Sequence, residues 1–463
     1  MSRGGRDCYP GRRETLTRTE ECTRPFERWI TVPKPRILES GIRPGFLPNL
    51  RRNPRGNSTK AGAAMKHTVR PVRWSGGAAV ALATVLLVTS CSGTAQPNGA
   101  HTTSATAGTE GHGAHGKAAA PPPAAALRAS ERFVNLTLPQ PYKPAAPSGA
   151  TDEYRCFLVD PKLTDRAFLT GSQFLPQNTD IVHHAIIFQI GPDKAEAARG
   201  LDANTPGEGW TCFGDAGIDD GAWIGHWAPG ANETLLTQKV GYPMPPGSQL
   251  IMQVHYNLLA TEGRSADTDQ SAIRLRLTDG KADLKPLVTA RLVAPIELPC
   301  TAEESGPLCD REAAVRDVVH RFGDQAGKTV AGLNRFCNDA KPPAASTTQH
   351  CERKIEGNGT VYAVAGHMHL LGRSIKVELN PGTPGAQNLL DIPNYNFDEQ
   401  AIRPLAKPVT VKAGDTLKVT CTHDAGLRKQ LPALRDLPAR YVVWGEGTAD
   451  EMCLGLLIMS PSS

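Results

Sequence analysis

The sequence predicts an all-β protein of two consecutive antiparallel sandwiches, with one helical insertion in the second. Three observations carry this. Glycine and proline are abundant, 45 and 38 of 463 residues, while aromatic residues make up only 5%, a composition rich in turns. From residue 131 onward, short strand-like runs alternate with turn residues, which is the pattern of a sandwich or barrel and not of βαβ units. A helical period shows in one place only.

The strand-like runs cover 154–159, 182–190, 249–257, 272–277, 288–293, 360–369, 374–379, 416–422 and 452–459. The helical signal lies between residues 310 and 336. There Val315, Val318, Val319 and Phe322 recur at i, i+3, i+4 and i+7, with Asp310 as N-cap. Arg316, Asp317, His320 and Arg321 fall on the polar side of that helix and read as solvated. A boundary near residues 280–287 gives an N-terminal domain over 131–284 and a C-terminal one over 285–463, each large enough for its own core.

What precedes residue 131 reads as targeting and tether. Residues 1–64 are Arg-, Pro- and Gly-rich without period and are expected to be a mis-assigned or disordered extension. Met65 opens a secretory signal over 65–90: Lys66, Arg70 and Arg73 precede an apolar run over 76–88. That run is shorter than the roughly 20 residues that span a bilayer. Small residues directly before Cys91 form a lipobox, in which Cys91 is acylated and the chain is anchored to the outer face of the cell membrane. Residues 91–130, rich in Ala, Thr, Gly, Pro and His, are too polar to fold and form a flexible linker. His101, His112 and His115 lie in it.

Charge and cysteines narrow the function classes. Much of the net charge of +5 sits in the first 73 residues, so no nucleic-acid footprint is present. Of eleven cysteines, Cys8, Cys22 and Cys91 fall in the leader, which leaves eight: Cys156, Cys212, Cys300, Cys309, Cys337, Cys351, Cys421 and Cys453. An even set in an exported chain predicts disulfides, and without C-x-x-C a thiolate zinc site is not expected.

Nine histidines follow the linker, and five of them sit in three strand-like segments. In residues 180–188, DIVHHAIIF, neighbouring strand residues point to opposite faces. His183 and His184 therefore converge on one ion only if the backbone is bulged. In residues 250–257, LIMQVHYN, alternation puts Ile251, Gln253, His255 and Asn257 on one face, which suggests a hydrated interface. In residues 365–373, AGHMHLLGR, His367 and His369 stand two apart and face the same side, with Met368 turned to the core. Two imidazoles need a third donor. Met452 in residues 447–454, GTADEMCL, offers a soft thioether that favours Cu(I).

Taken together, these segments resemble the copper type II, ascorbate-dependent monooxygenases, the family of dopamine β-monooxygenase and peptidylglycine α-hydroxylating monooxygenase. VHHAII from Val182, MQVHYN from Met252, HMHLLGR from His367 and DEMC from Asp450 stand in the family's order, over roughly residues 131–460. The resemblance implies two consecutive antiparallel jelly-roll β-sandwich domains facing across a solvent-filled cleft, with two copper ions per chain. His183, His184 and His255 would hold an electron-transfer copper; His367, His369 and Met452 would hold the catalytic, oxygen-binding one. Cys156–Cys212 and Cys421–Cys453 would match family disulfides. The other four cysteines bracket the helical insertion, and a nested pairing is expected, Cys309 with Cys337 and Cys300 with Cys351.

The activity so implied is hydroxylation of an unactivated C–H bond of a small organic substrate, using dioxygen and ascorbate or another one-electron reductant. Peptide-amidating members hold a carboxylate with Arg, Asn and Tyr where this chain has Ala365, Leu454 and Leu456. An unpaired buried carboxylate is costly, so a more apolar substrate is expected. Two other classes compete: a non-catalytic copper-binding surface lipoprotein that sequesters or transfers metal, and a carbohydrate-binding or adhesion module that binds no copper. His226, in residues 223–228, WIGHWA, competes with His255 as a first-site ligand.

Overall fold

A computed structural model describes residues 123–463, apart from 148–149, 238, 262–266 and 463. The leader, Cys91 and the linker histidines lie outside the described residues. The described part is mostly β, in small sheets, with few helices. Among the described residues, no helix is long and apolar enough to cross a membrane.

Two sheets form from the first half of this region. One is six-stranded and places Glu131–Thr137, Ala272–Asp279, Ala167–Leu175 and Val240–Met244 side by side. The other is five-stranded and places Asp152–Val159, Gln249–Asn257, Val182–Ile190 and Ala222–Trp227 side by side. Period-2 alternation sends Phe157, Ile187, Met252 and Val254 from one sheet and Leu169, Ile273, Leu275 and Leu277 from the other into one shared core.

The sheet assignment changes just after Lys285–Pro286, which pairs with Val240–Met244. The next strand, Val288–Val293, pairs instead with Leu454–Pro461. That sheet continues through Gly359–His367 to Arg403–Val411. A second four-stranded sheet orders Thr348–Lys354, Thr416–His423, Gly372–Leu379 and Gln387–Ile392. Their facing side chains, among them Leu292, Val364, Leu456, Val377 and Val419, form the second core. Met368 is fully buried in it, as alternation predicts; burial of such a side chain stabilises by about 1.5–3 kcal/mol.

The helical insertion is two helices, Arg311–Phe322 and Asp324–Cys337, where the sequence suggested one signal. The side chain of Asp310 accepts from Ala313 N, so the cap is as expected. The break falls at Gly323, whose φ of 82° suits a residue without a Cβ. Arg321 is a correction: it is buried, not solvated, while His320 is exposed.

The pairing of the four remaining cysteines also corrects the expectation. Cys300 bonds Cys309 and Cys337 bonds Cys351, so the bridges are consecutive and not nested. Each closes one end of the helical pair: the first spans the turn entering Arg311–Phe322, and the second ties the end of Asp324–Cys337 to strand Thr348–Lys354. The other two bridges are Cys156–Cys212 and Cys421–Cys453.

Candidate metal centres

Both histidine sets arise from cross-strand neighbours. In the first half, the ladder between Val182–Ile190 and Gln249–Asn257 pairs Val182 with Tyr256, then slips, and resumes with His184 opposite His255. His183 is the extra residue of that bulge. An unbulged strand would send His183 and His184 to opposite faces; the slip turns both inward.

The three rings meet through their Nδ1 atoms. His183 and His184 lie 3.1 Å apart, His183 and His255 3.3 Å, and His184 and His255 3.2 Å. This is the one group of its kind among the described residues. Imidazole nitrogens sit about 2.0–2.1 Å from a bound transition metal, and two such donors at angles near 100° lie about 3.2 Å from each other. Three mutually close ring nitrogens cannot all be satisfied by hydrogen bonds to one another, because each N–H serves one partner. A cation between them satisfies all three.

The orientation of His255 is fixed from behind. Its Nε2 lies 2.8 Å from Asp152 Oδ1. That carboxylate also accepts from Thr448 Oγ1 and Thr151 Oγ1. Burial raises the Asp152 pKa, but these partners outweigh it and hold the group below the usual carboxylate range, so it stays ionised. The Nε2–H of His255 therefore points at Asp152 and its Nδ1 lone pair faces the centre, as metal-binding histidines are commonly oriented. Tyr154 stacks on the His255 ring at 4.1 Å. Burial, with neighbouring imidazoles adding to it, holds His184 well below the ordinary histidine range, so it is neutral and able to ligate.

The second set depends on the register between Gly359–His367 and Leu454–Pro461, which pairs His367 with Leu454. Continued two residues past the strand ends, it brings His369 opposite Met452. The strand stops at His367, so His369 is carried by the turn that follows, not by a strand. The His367 and His369 rings are 5.1 Å apart.

Hydrogen bonds set both tautomers. Gln400 Nε2 donates to Phe397 O, which leaves Gln400 Oε1 as acceptor for His367 Nδ1–H. His369 Nδ1–H donates to Asp450 O at 3.2 Å. Both histidines thus carry the lone pair on Nε2. The His369 Nε2 is buried and has no hydrogen-bond partner, a costly state for a polar atom unless a ligand takes it.

Met452 is buried and lines the same cavity as His367 and His184. Two devices fix it: the neighbouring Cys421–Cys453 bridge and the carboxylate of Glu451. That carboxylate is fully buried and accepts from the backbone N–H groups of His369, Leu371 and Met452. A set of two imidazoles and a thioether fits copper, and Cu(I) in particular, better than zinc or a hard cation.

The two sets are neighbours. The His184 and His367 rings lie 5.5 Å apart, edge to face, where the resemblance implied a solvent-filled cleft. Groups from the second half account for this: the Phe397 ring stacks on His183 at 4.3 Å, the Thr448 hydroxyl donates to Asp152, and the Glu446 backbone carbonyl accepts from Tyr154 Oη at 2.8 Å. Gln253 and His255 are fully buried. His226 stands outside the triad, paired with Ile186 on the flanking strand, and burial lowers its pKa to about 4.

Reasoning from residue spacing did not find Asp152, Thr448, Gln400, Tyr154, Phe397, Glu446 and Glu451. A sequence signal exists only for Glu451 and Asp450, which stand beside Met452 in the DEMC motif.

Comparison with solved structures adds nothing to the fold. Allantoicase (12% identity, covering 68% of this chain and 90% of that one) and a Paenibacillus xanthan lyase (11%, covering 69% and 26%) align at TM-scores of 0.16. The vicilin of Solanum lycopersicum, tomato (6%, covering 67% and 74%), aligns at 0.13. Scores so low carry no argument. The informative match is to a family model. Residues 338–461, which contain His367, His369 and Met452, match the family model of the copper type II ascorbate-dependent monooxygenase C-terminal domain.

Proposed function

We propose that this chain is a copper-dependent monooxygenase that hydroxylates an unactivated C–H bond of a small organic substrate. His183, His184 and His255 hold one copper through Nδ1. His367 and His369 through Nε2, with the Met452 thioether, hold the other. The two sheet pairs are then the two jelly-roll domains of the family. The observation that carries the reading is the contrast between the two donor sets, each held ready by its own hydrogen bonds, with His369 Nε2 buried and unpartnered beside a fixed methionine.

Bound copper supplies one-electron storage and dioxygen activation there, with ascorbate or a similar one-electron donor as reductant. The protein supplies the rest. Asp152 keeps the His255 lone pair turned inward. Gln400 and the Asp450 carbonyl do the same for His367 and His369. Glu451 clamps the turns that carry His369 and Met452. Leu454, Leu456 and Trp223 line the cavity with apolar surface, which suits an apolar substrate body and excludes bulk water. The His184 and His367 rings, 5.5 Å apart, would give electrons a short route between the two donor sets.

The test is copper analysis with oxygen uptake. The exported chain is expected to hold two copper ions and to consume dioxygen with ascorbate only when an oxidisable small molecule is added. Two coppers without substrate-dependent uptake supports the metal-carrier reading. No stoichiometric copper overturns both. The anchor is part of the same proposal: palmitate labelling in the producing cell is expected, and Cys91→Ala is expected to abolish it and release the chain.

A further inference from the structure

One face of the strand Thr416–His423 reaches the Met452 turn twice. Alternation buries Leu417, Val419, Cys421 and His423 on that face. Cys421 is bonded to Cys453. His423 closes the strand, where its backbone N–H donates to Thr347 O at 2.8 Å and it stands opposite Gly372. Its ring is buried and reaches the residues just before Cys453. Nε2 lies 3.4 Å from the Met452 carbonyl oxygen and 3.3 Å from Glu451 Oε2. Both oxygens are acceptors, so Nε2 carries the hydrogen and shares it between them. Neither proposed donor set uses this histidine.

The consequence falls on Met452. Its backbone N–H donates to Glu451 Oε2 at 3.3 Å, and its carbonyl accepts from His423. The peptide groups on both sides of its Cα are therefore held, and with them the direction in which the side chain leaves. A histidine ligand is also oriented by the bond its other ring nitrogen makes. A thioether has no such handle on a flexible, unbranched chain, so the backbone must set where the sulfur goes. The Cys421–Cys453 bridge acts one residue later and leaves the peptide between Met452 and Cys453 to His423. The same ring faces the carboxylate that accepts from the N–H groups of His369 and Leu371.

Resting on the proposed function, we propose that His423 is a positioning residue of the second centre. It fixes the Met452 carbonyl and the Glu451 carboxylate, and so aims the thioether toward His367 and His369 without touching the metal itself.

The full exported chain is compared with His423→Phe, which keeps a ring but cannot donate, and His423→Gln, whose Nε2 still donates. In the copper-free protein, the Met452 methyl signal, assigned with Met452→Leu, is expected to move in the phenylalanine variant and to keep its place in the glutamine variant. Loaded with Cu(I), His423→Phe is expected to lose sulfur scattering in X-ray absorption and to hold the second copper roughly 10–100-fold more weakly; His423→Gln restores both. First-centre copper and the Cys421–Cys453 bridge stay intact throughout. An unmoved methyl signal or undiminished sulfur scattering in His423→Phe, or a glutamine variant as impaired as the phenylalanine one, overturns the proposal. If His423→Phe does not fold, nitrogen NMR of the unaltered copper-free chain decides: an Nε2–H tautomer at His423 is expected, and an Nδ1–H tautomer overturns it. The metal-free readings keep the two ideas apart. An unaltered chain that takes up no copper sinks the monooxygenase reading, whereas a Met452 signal indifferent to His423 sinks this inference whatever copper does.

Discussion

Arg321→Met probes how the helical insertion supports the proposed second metal centre. Arg321, in the last turn of the first insertion helix, reaches Asp450 through two 2.7 Å bonds, with both side chains buried, and it also holds Asp317 at 2.9 Å. Removing one partner of a buried pair costs about 3–5 kcal/mol, because the remaining charge is left in a medium that cannot solvate it. Two contacts soften the loss here: Arg440 Nη1 lies 3.7 Å from Asp450 Oδ1, and Gly447 N donates to Oδ2 at 3.0 Å. The expected cost is therefore near the lower bound, about 3 kcal/mol in urea unfolding of the copper-free chain.

The functional consequence follows from what Asp450 does with its backbone. Its carbonyl accepts the His369 Nδ1–H, and Met452 stands two residues on. A displaced Asp450 thus disturbs two of three donors at once. Copper affinity at the second centre should fall roughly tenfold or more, the usual cost of losing an outer-shell partner, while the His183 centre keeps its metal. Adding Asp450→Asn removes the stranded charge and should return more than half of the lost stability. A loss under about 1 kcal/mol, or a double variant as unstable as the sum of the singles, would refute the reasoning.

Met452→Ala is expected to abolish hydroxylation while first-site copper, followed by metal analysis and electron paramagnetic resonance, is retained; surviving activity refutes the second-site assignment. Asp152→Asn frees His255 to take either tautomer and should weaken first-site copper by roughly 10–100-fold, measured by competition with a chelator of known affinity. The pH dependence has a definite sign. His184, His226 and His367 titrate below the ordinary histidine value in the folded chain, so the unfolded chain binds more protons as pH falls through about 6.5. Stability of the copper-free protein should fall from pH 7 to pH 5, with His226 alone contributing about 2 kcal/mol at the lower pH, read from urea midpoints; a midpoint independent of pH would count against these burials.

How much of the site the sequence reveals depends on whether the donors are local in the chain. The sequence made a bulge at His183 the condition for adjacent strand residues to face one point, and the ladder does slip there. The same alternation put Met368 in the core. Spacing fails where the partner is remote. Asp152 lies 103 residues from His255 and Thr448 lies 296 from Asp152, and no period connects such pairs. Arg321 was misread for the same reason: on a helical wheel it belongs with the solvated side, and only the Asp450 turn, 129 residues on, makes that position interior. The nested cysteine pairing failed because helix geometry was not fixed; once the two helices break at Gly323, each bridge closes locally.

The proximity of the two centres follows from how the halves are joined, and it bears on how electrons would move. A water-filled gap lets each half keep its own hydrogen bonding. Here the halves share theirs: Asp152 of the first depends on Thr448 of the second, and the ring of His183 is covered by Phe397. The turn carrying Glu446 to Met452 consequently serves both centres, since Thr448 supports His255 through Asp152 while Asp450 supports His369. Opening the halves would strip a hydrogen bond from a buried, ionised Asp152, which is costly without a replacement partner. The contact between His184 and His367 is thus a consequence of the first centre's own supporting shell, and anything that loosens the Thr448 turn should lengthen the path between the centres as well as weaken the first of them.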